Sequence, residues 1–125
     1  MAAPRTPILV VDDDFDLRET LREVLEDRGF HVDTASDGGA ALDHLRKGHR
    51  PAVILLDLMM PKTDGYAFRR EQLADPKLKD LSVVVMTASG RPEQSMRKDL
   101  GAVTFMRKPF DIDDLVATIE KHIVK

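Results

Sequence analysis

The chain of 125 residues contains no cysteine. That absence excludes disulfides, thiolate metal sites, a cysteine nucleophile and thiol redox chemistry together, and it fits a reducing compartment. Any metal must therefore sit on oxygen or imidazole. An excess of basic charge is also missing. Lys and Arg number 19 against 22 Asp and Glu, for a net charge of -3. Basic residues never run beyond pairs such as Arg69-Arg70, Arg97-Lys98 and Arg107-Lys108, so direct nucleic-acid binding driven by counterion release is not expected. Long hydrophobic runs are lacking as well. The longest, 52–56, is far below the roughly 18 apolar residues that a bilayer span requires. The opening Met1-Ala-Ala-Pro-Arg-Thr6 leads into only a short apolar run before acids appear, which is not the h-region of a signal peptide. These absences predict a soluble cytoplasmic protein with no membrane association.

What is present suits one domain over 1–125, with about 1–6 as a short N-terminal extension. A chain of this length buries roughly two-thirds of its unfolded surface, enough for a core without covalent staples. Four apolar runs rich in β-branched residues punctuate it: Ile8-Leu-Val-Val11, Val53-Ile-Leu-Leu56, Val83-Val-Val-Met86 and the weaker Val103-Thr-Phe-Met106. Continuous rather than alternating hydrophobicity means that both faces of each strand are covered. A fifth, less apolar run at 32–35 suits a sheet edge.

Helical patterns fill the intervals. Leu17, Leu21, Val24 and Leu25 share one face before Gly29, and Asp37 can cap a helix carrying Leu42 and Leu45 that ends at Gly48. Ile112, Leu115, Val116, Ile119 and Ile123 form the clearest stripe, begun by Asp111. Two helices are weaker. One, over 65–74, has Tyr66, Ala67, Phe68 and Leu73 as its apolar set; the other, over 92–100, has only Met96 and Leu100 and is expected to be loosely held. Alternating strands and helices predict a (βα)5 flavodoxin-like, doubly wound α/β fold, with five parallel strands in order 2-1-3-4-5 and helices on both faces.

In a parallel sheet all strand C-termini emerge on one edge, and here those ends read Asp12-Asp13-Asp14, Asp57, Thr87 and Arg107-Lys108. Ligands of open α/β sheets bind in the crevice at that edge. Gathered carboxylates repel, so the site needs a cation, and oxygen ligands without Cys or His select a hard ion such as Mg²⁺. Lys108 supplies a fixed positive charge. Ion, ammonium and the Thr87 hydroxyl together suit a phosphoryl group, with one carboxylate as nucleophile. Asp57 is the best candidate, because the next helix begins too far on for it to be an N-cap; for Asp14 a cap is the simpler reading.

Ile8-Leu-Val-Val-Asp12-Asp13-Asp14, Ile54-Leu-Leu-Asp57-Leu-Met-Met-Pro61 with Asp64-Gly65, Val85-Met86-Thr87-Ala88 and Lys108-Pro109-Phe110 resemble, in order and spacing, the signature blocks of receiver domains of bacterial two-component response regulators. The resemblance implies that Asp57 accepts a phosphoryl group from a sensor histidine kinase or a histidine phosphotransfer protein. It further implies that Asp12, Asp13, Asp57 and the Met59 backbone carbonyl hold Mg²⁺, with Mn²⁺ as a substitute. Thr87 and Lys108 resemble the phosphate-binding hydroxyl and ammonium, and the Lys108-Pro109 bond is expected to be cis. Phe105 stands at the aromatic switch position that turns inward with Thr87, where many members have Tyr, so no hydroxyl is present to report the switch.

The implied protein is a phosphorylation-driven switch that catalyses only its own phosphorylation and dephosphorylation. Its output face is made by the 92–100 helix, the Val103 strand and the last helix, and is read by a downstream partner or an effector domain outside this chain. A monomer or a weak phosphorylation-dependent dimer is expected, since Gly101-Ala102 is followed by Val103-Thr104 instead of acids. Met59 and Ser89 would line the path of the hydrolytic water. Two other classes compete. Asp12-x-Asp14 also resembles the nucleophile and acid of haloacid-dehalogenase-type Mg-dependent phosphatases, and the other alternative is a protein-docking module whose binding ignores phosphorylation. His31, His44, His49 and His122 show no metal-ligand spacing and read as solvated surface residues.

Overall fold

The computed structural model describes residues 5–58, 65–88 and 92–123. Ten elements alternate: β1 (Thr6–Val11), α1 (Phe15–Asp27), β2 (Phe30–Ala35), α2 (Gly38–Arg46), β3 (Val53–Asp57), α3 (Gly65–Ala74), β4 (Val83–Thr87), α4 (Glu93–Leu100), β5 (Thr104–Arg107) and α5 (Ile112–Ile123). All strand pairs are parallel, and the sheet order is β2-β1-β3-β4-β5. The architecture is the expected flavodoxin-like one. Because β1 starts at Thr6, that residue belongs to the sheet and not to an N-terminal extension.

The apolar strands divide their residues between two cores, as the pleat requires. Leu9, Val11, Ile54, Leu56, Val83 and Val85 pack with the residues of α2, α3 and α4. Ile8, Val10, Val53, Leu55, Val84 and Met86 face α1 and α5. The three central strands β1, β3 and β4 are buried on both sides, whereas β5, an edge strand, has no fully buried residue. Asp37 caps α2, its carboxylate accepting from Ala40 N–H at 2.8 Å. Gly48 (φ +103°) leaves α2 in a left-handed conformation that L side chains rarely adopt. No described helix is long and apolar enough to cross a membrane.

Two expectations need revision, one about α3 and one about the histidines. In α3, Leu73 is 42% exposed, while Arg69 and Gln72 are buried beside Phe68. The reason is hydrogen bonding. Arg69 donates to the Leu100 carbonyl at 2.8 Å and to Gln72 Oε1 at 2.9 Å, and Gln72 Nε2 donates to the carbonyls of Leu78 and Leu81 at 3.0 and 3.1 Å. The inner face of α3 thus secures two chain turns that lead into β4 and β5. Burial lowers the pKa of the Arg69 guanidinium from its ordinary value. In α4, sparse as its apolar set is, Met96 and Leu100 are both fully buried. The histidines are also not uniformly solvated, since His44 and His122 are half-buried and bonded to side chains across the fold.

Candidate functional site

The parallel sheet brings four of its strand ends to one rim. Asp12 follows β1 directly, Asp57 closes β3, Thr87 closes β4 and Lys108 follows β5. Asp12, Asp57 and Thr87 are buried at 1%, 7% and 0% exposure, whereas Asp13 is exposed. Carboxylate oxygens of Asp12, Asp13 and Asp57 all lie within 4.8 Å of one another. At an effective dielectric near 20, each such pair of like charges costs about 3.5 kcal/mol, so the rim concentrates unfavourable charge. Lys108 answers part of it: Nζ lies 3.4 Å from Asp12 Oδ2 and 3.7 Å from Asp57 Oδ1.

Local geometry fixes these groups. The Lys108 N–H donates to the Thr87 carbonyl at 2.8 Å, and the Lys108-Pro109 peptide is cis, as expected. Asp14 N–H donates to Asp12 Oδ1 at 2.9 Å, and Arg18 Nη1 to the Asp12 carbonyl at 2.7 Å. Asp14 itself is the α1 N-cap, accepting from Leu17 N–H at 3.2 Å. Behind Asp57 the backbone is closely packed. Gly65 N–H donates to the Leu58 carbonyl at 2.8 Å, and a Cβ on Gly65 would lie 2.7 Å from Leu58 Cα and 2.8 Å from the Asp57 carbonyl oxygen. Sequence pattern alone did not mark that contact, because it depends on how α3 meets β3.

The donor set fits a hard divalent ion: three carboxylates with no imidazole among them. Met59 and Ser89 lie outside the described residues. Phe105, partly buried against the α2–α4 core, pairs in register with Val85 and carries the Arg97 guanidinium 4.9 Å from its ring centroid. Arg97 also donates to the Val103 carbonyl at 2.8 Å. The aromatic position two residues beyond Val103 is therefore joined to α4 by one side chain.

Comparison with known proteins agrees with this geometry. The sequence profile of the response regulator receiver domain matches residues 8–120. Response regulator Rre1 of Synechocystis is 37% identical over 100% of this chain and 54% of its own length, so the chain spans about half of that relative. Sporulation initiation phosphotransferase F of Bacillus subtilis is 36% identical, over 93% of this chain and 92% of its own. The chemotaxis protein CheY4 of Vibrio cholerae superposes with a TM-score of 0.85 at 30% identity, covering 94% of this chain and 98% of that one. With the strand order, the acidic rim and the matched profile in agreement, the chain belongs to the response regulator receiver domains, a family of two-component signalling domains.

Proposed function

We propose that this receiver domain takes a phosphoryl group onto Asp57 from the phosphohistidine of a sensor histidine kinase or histidine phosphotransfer protein, and that the modification alters its α4-β5-α5 surface. The observation that carries the reading is the reach of Lys108 Nζ to both Asp12 and Asp57 within a cluster of three carboxylates. Asp12, Asp13 and Asp57 would hold Mg²⁺. When bound, the ion offsets their mutual repulsion and the charge on the phosphoryl oxygens.

In the transfer, an Asp57 carboxylate oxygen forms the P–O bond while the P–N bond of the donor breaks. The electron pair of that bond stays on the imidazole nitrogen, which takes up a proton. Lys108 stabilises the phosphoryl oxygens electrostatically, and the Thr87 hydroxyl donates to one of them. Movement of Thr87 toward the phosphoryl group opens space along β4 and β5, into which Phe105 turns. Arg97 then transmits that turn to α4, because it holds both the Phe105 ring and the Val103 carbonyl. Partner proteins read the altered face.

The phosphatase reading needs Asp14 as a free acid, and its engagement as the α1 cap weighs against that role. Incubation with acetyl phosphate and Mg²⁺, followed by intact-mass measurement, tests the proposal. One added phosphoryl mass is expected, lost in Asp57→Asn. An unmodified native protein, under conditions that label a control receiver, would overturn it, as would labelling that survives Asp57→Asn.

A further inference from the structure

A second cluster of metal-ligating side chains lies away from the acidic rim. Asp33 stands on the edge strand β2, paired in register with Leu9. Its neighbours on the same pleat are His31 and Ala35, and Ala35 and Leu9 belong to the core beneath α2. His31 and Asp33 thus share the sheet face on which α2 lies. From α2, His44 Nε2 comes within 3.2 Å of Asp33 Oδ2, and from the strand His31 Nε2 comes within 3.3 Å of Oδ1. His49, just past the end of α2, stacks on His44 with ring centroids 4.0 Å apart and planes 3° from parallel. Ligand atoms of Asp33, His44 and His49 all lie within 4.8 Å of one another.

We infer that Asp33, His44 and His49, with His31 as a fourth donor, form a binding site for a borderline-soft divalent transition ion of the Zn²⁺ class. Tetrahedral ligands at about 2.0–2.2 Å from zinc lie roughly 3.3 Å apart; the 3.2 Å between His44 Nε2 and Asp33 Oδ2 matches one such edge, while His31 approaches the other carboxylate oxygen, Oδ1, at 3.3 Å. Closure then needs only side-chain torsions that open the His44–His49 stack so that both rings point at one centre. Imidazole donors select Zn²⁺, Cu²⁺ or Ni²⁺ over Mg²⁺, and the central carboxylate repels anions. The burial is graded, with the His44 and Asp33 side chains 24% and 36% exposed and His49 at the surface, so an entry path exists.

This site is separate from the acidic rim. Asp33 is level with Leu9, three positions before Asp12 along β1, or roughly 10 Å at strand rise. Its imidazoles come from β2, α2 and the turn just past α2, none of which contributes to the rim. An ion held here would fasten the edge strand to its covering helix. It does not depend on the phosphorylation reading.

Zn²⁺ titrated by calorimetry into the intact chain in excess Mg²⁺, with imidazole resonances followed by NMR, tests the inference. One equivalent should bind. The His44 and His49 ring signals should move, while those of His122, held by Thr104 Oγ1 and the Thr118 carbonyl, stay in place. His44→Ala and the surface variant His49→Ala should each weaken binding by about tenfold or more, whereas Asp57→Asn should change it less than about twofold. Binding lost in Asp57→Asn but kept in His49→Ala would assign the ion to the acidic rim and overturn the inference. So would a titration that leaves the His44 and His49 signals unmoved.

Discussion

Two polar groupings with buried members sit at opposite edges of the same sheet and solve the burial of charge in opposite ways. At the C-terminal edge, Asp12, Asp13 and Asp57 crowd one another with Lys108 as a cationic neighbour. At the N-terminal edge, where the chain enters β4 and β5, Arg69 and Gln72 meet neutral carbonyls and each other. The second arrangement is complete within the chain and serves stability. The first accumulates repulsion that a bound cation would relieve, which is what the proposed function requires of it. Buried polarity alone does not identify a functional site; the sign and number of the charges does.

The sharpest way to separate the two edges is to remove a group from each. Gln72→Leu takes the donor from the Leu78 and Leu81 carbonyls and the acceptor from Arg69. Buried groups left without partners make this a loss of about 3 kcal/mol in urea unfolding, with acetyl-phosphate labelling of the folded protein unchanged. Asp12→Asn should act with the opposite sign. It removes two like-charge pairs worth about 3.5 kcal/mol each and one Lys108 attraction, at 3.4 Å, of about 5 kcal/mol. Stability without divalent ions should rise by about 1–2 kcal/mol, and the further stabilisation conferred by added Mg²⁺ should disappear. If Asp12→Asn instead destabilised the metal-free protein, the picture of an edge under repulsion would fail.

The smallest test compares two helix caps. Asp37→Ala, remote from the rim, should cost about 1 kcal/mol. Asp14→Ala removes an equivalent cap on α1 but also an acid next to the carboxylates, so thermal melts should give it about half that cost. Equal costs would mean that the rim's field does not extend to Asp14.

Much of this could be read from sequence, for a definite reason. Strand burial on both faces writes continuous apolar runs, and parallel strands put every run's last residues on one rim, so Asp12, Asp57, Thr87 and Lys108 announce themselves as interruptions. The partners of Arg69 and Gln72 are backbone carbonyls, which carry no side-chain pattern. Sequence pattern therefore offers Leu73 in the apolar set of α3, and nothing in it marks Arg69 and Gln72 as buried. The histidine cluster was hidden differently. His31 and Asp33 share a strand face through a period of two, but their meeting with His44 and His49 depends on the depth at which α2 lies over the edge strand. Its trace in the sequence is His and Asp two apart on a strand, followed by two His five apart at a helix end.

Gly65 carries a consequence of a different kind. Its φ is not in the left-handed region, so torsional freedom does not explain the residue. Space does: 2.7 Å separates Leu58 Cα from where a methyl carbon would sit. The clearance behind Asp57 is therefore that of a single hydrogen atom. Any engineered protein built on this scaffold must treat position 65 as part of the tolerance on the geometry at Asp57, although it offers no functional group of its own.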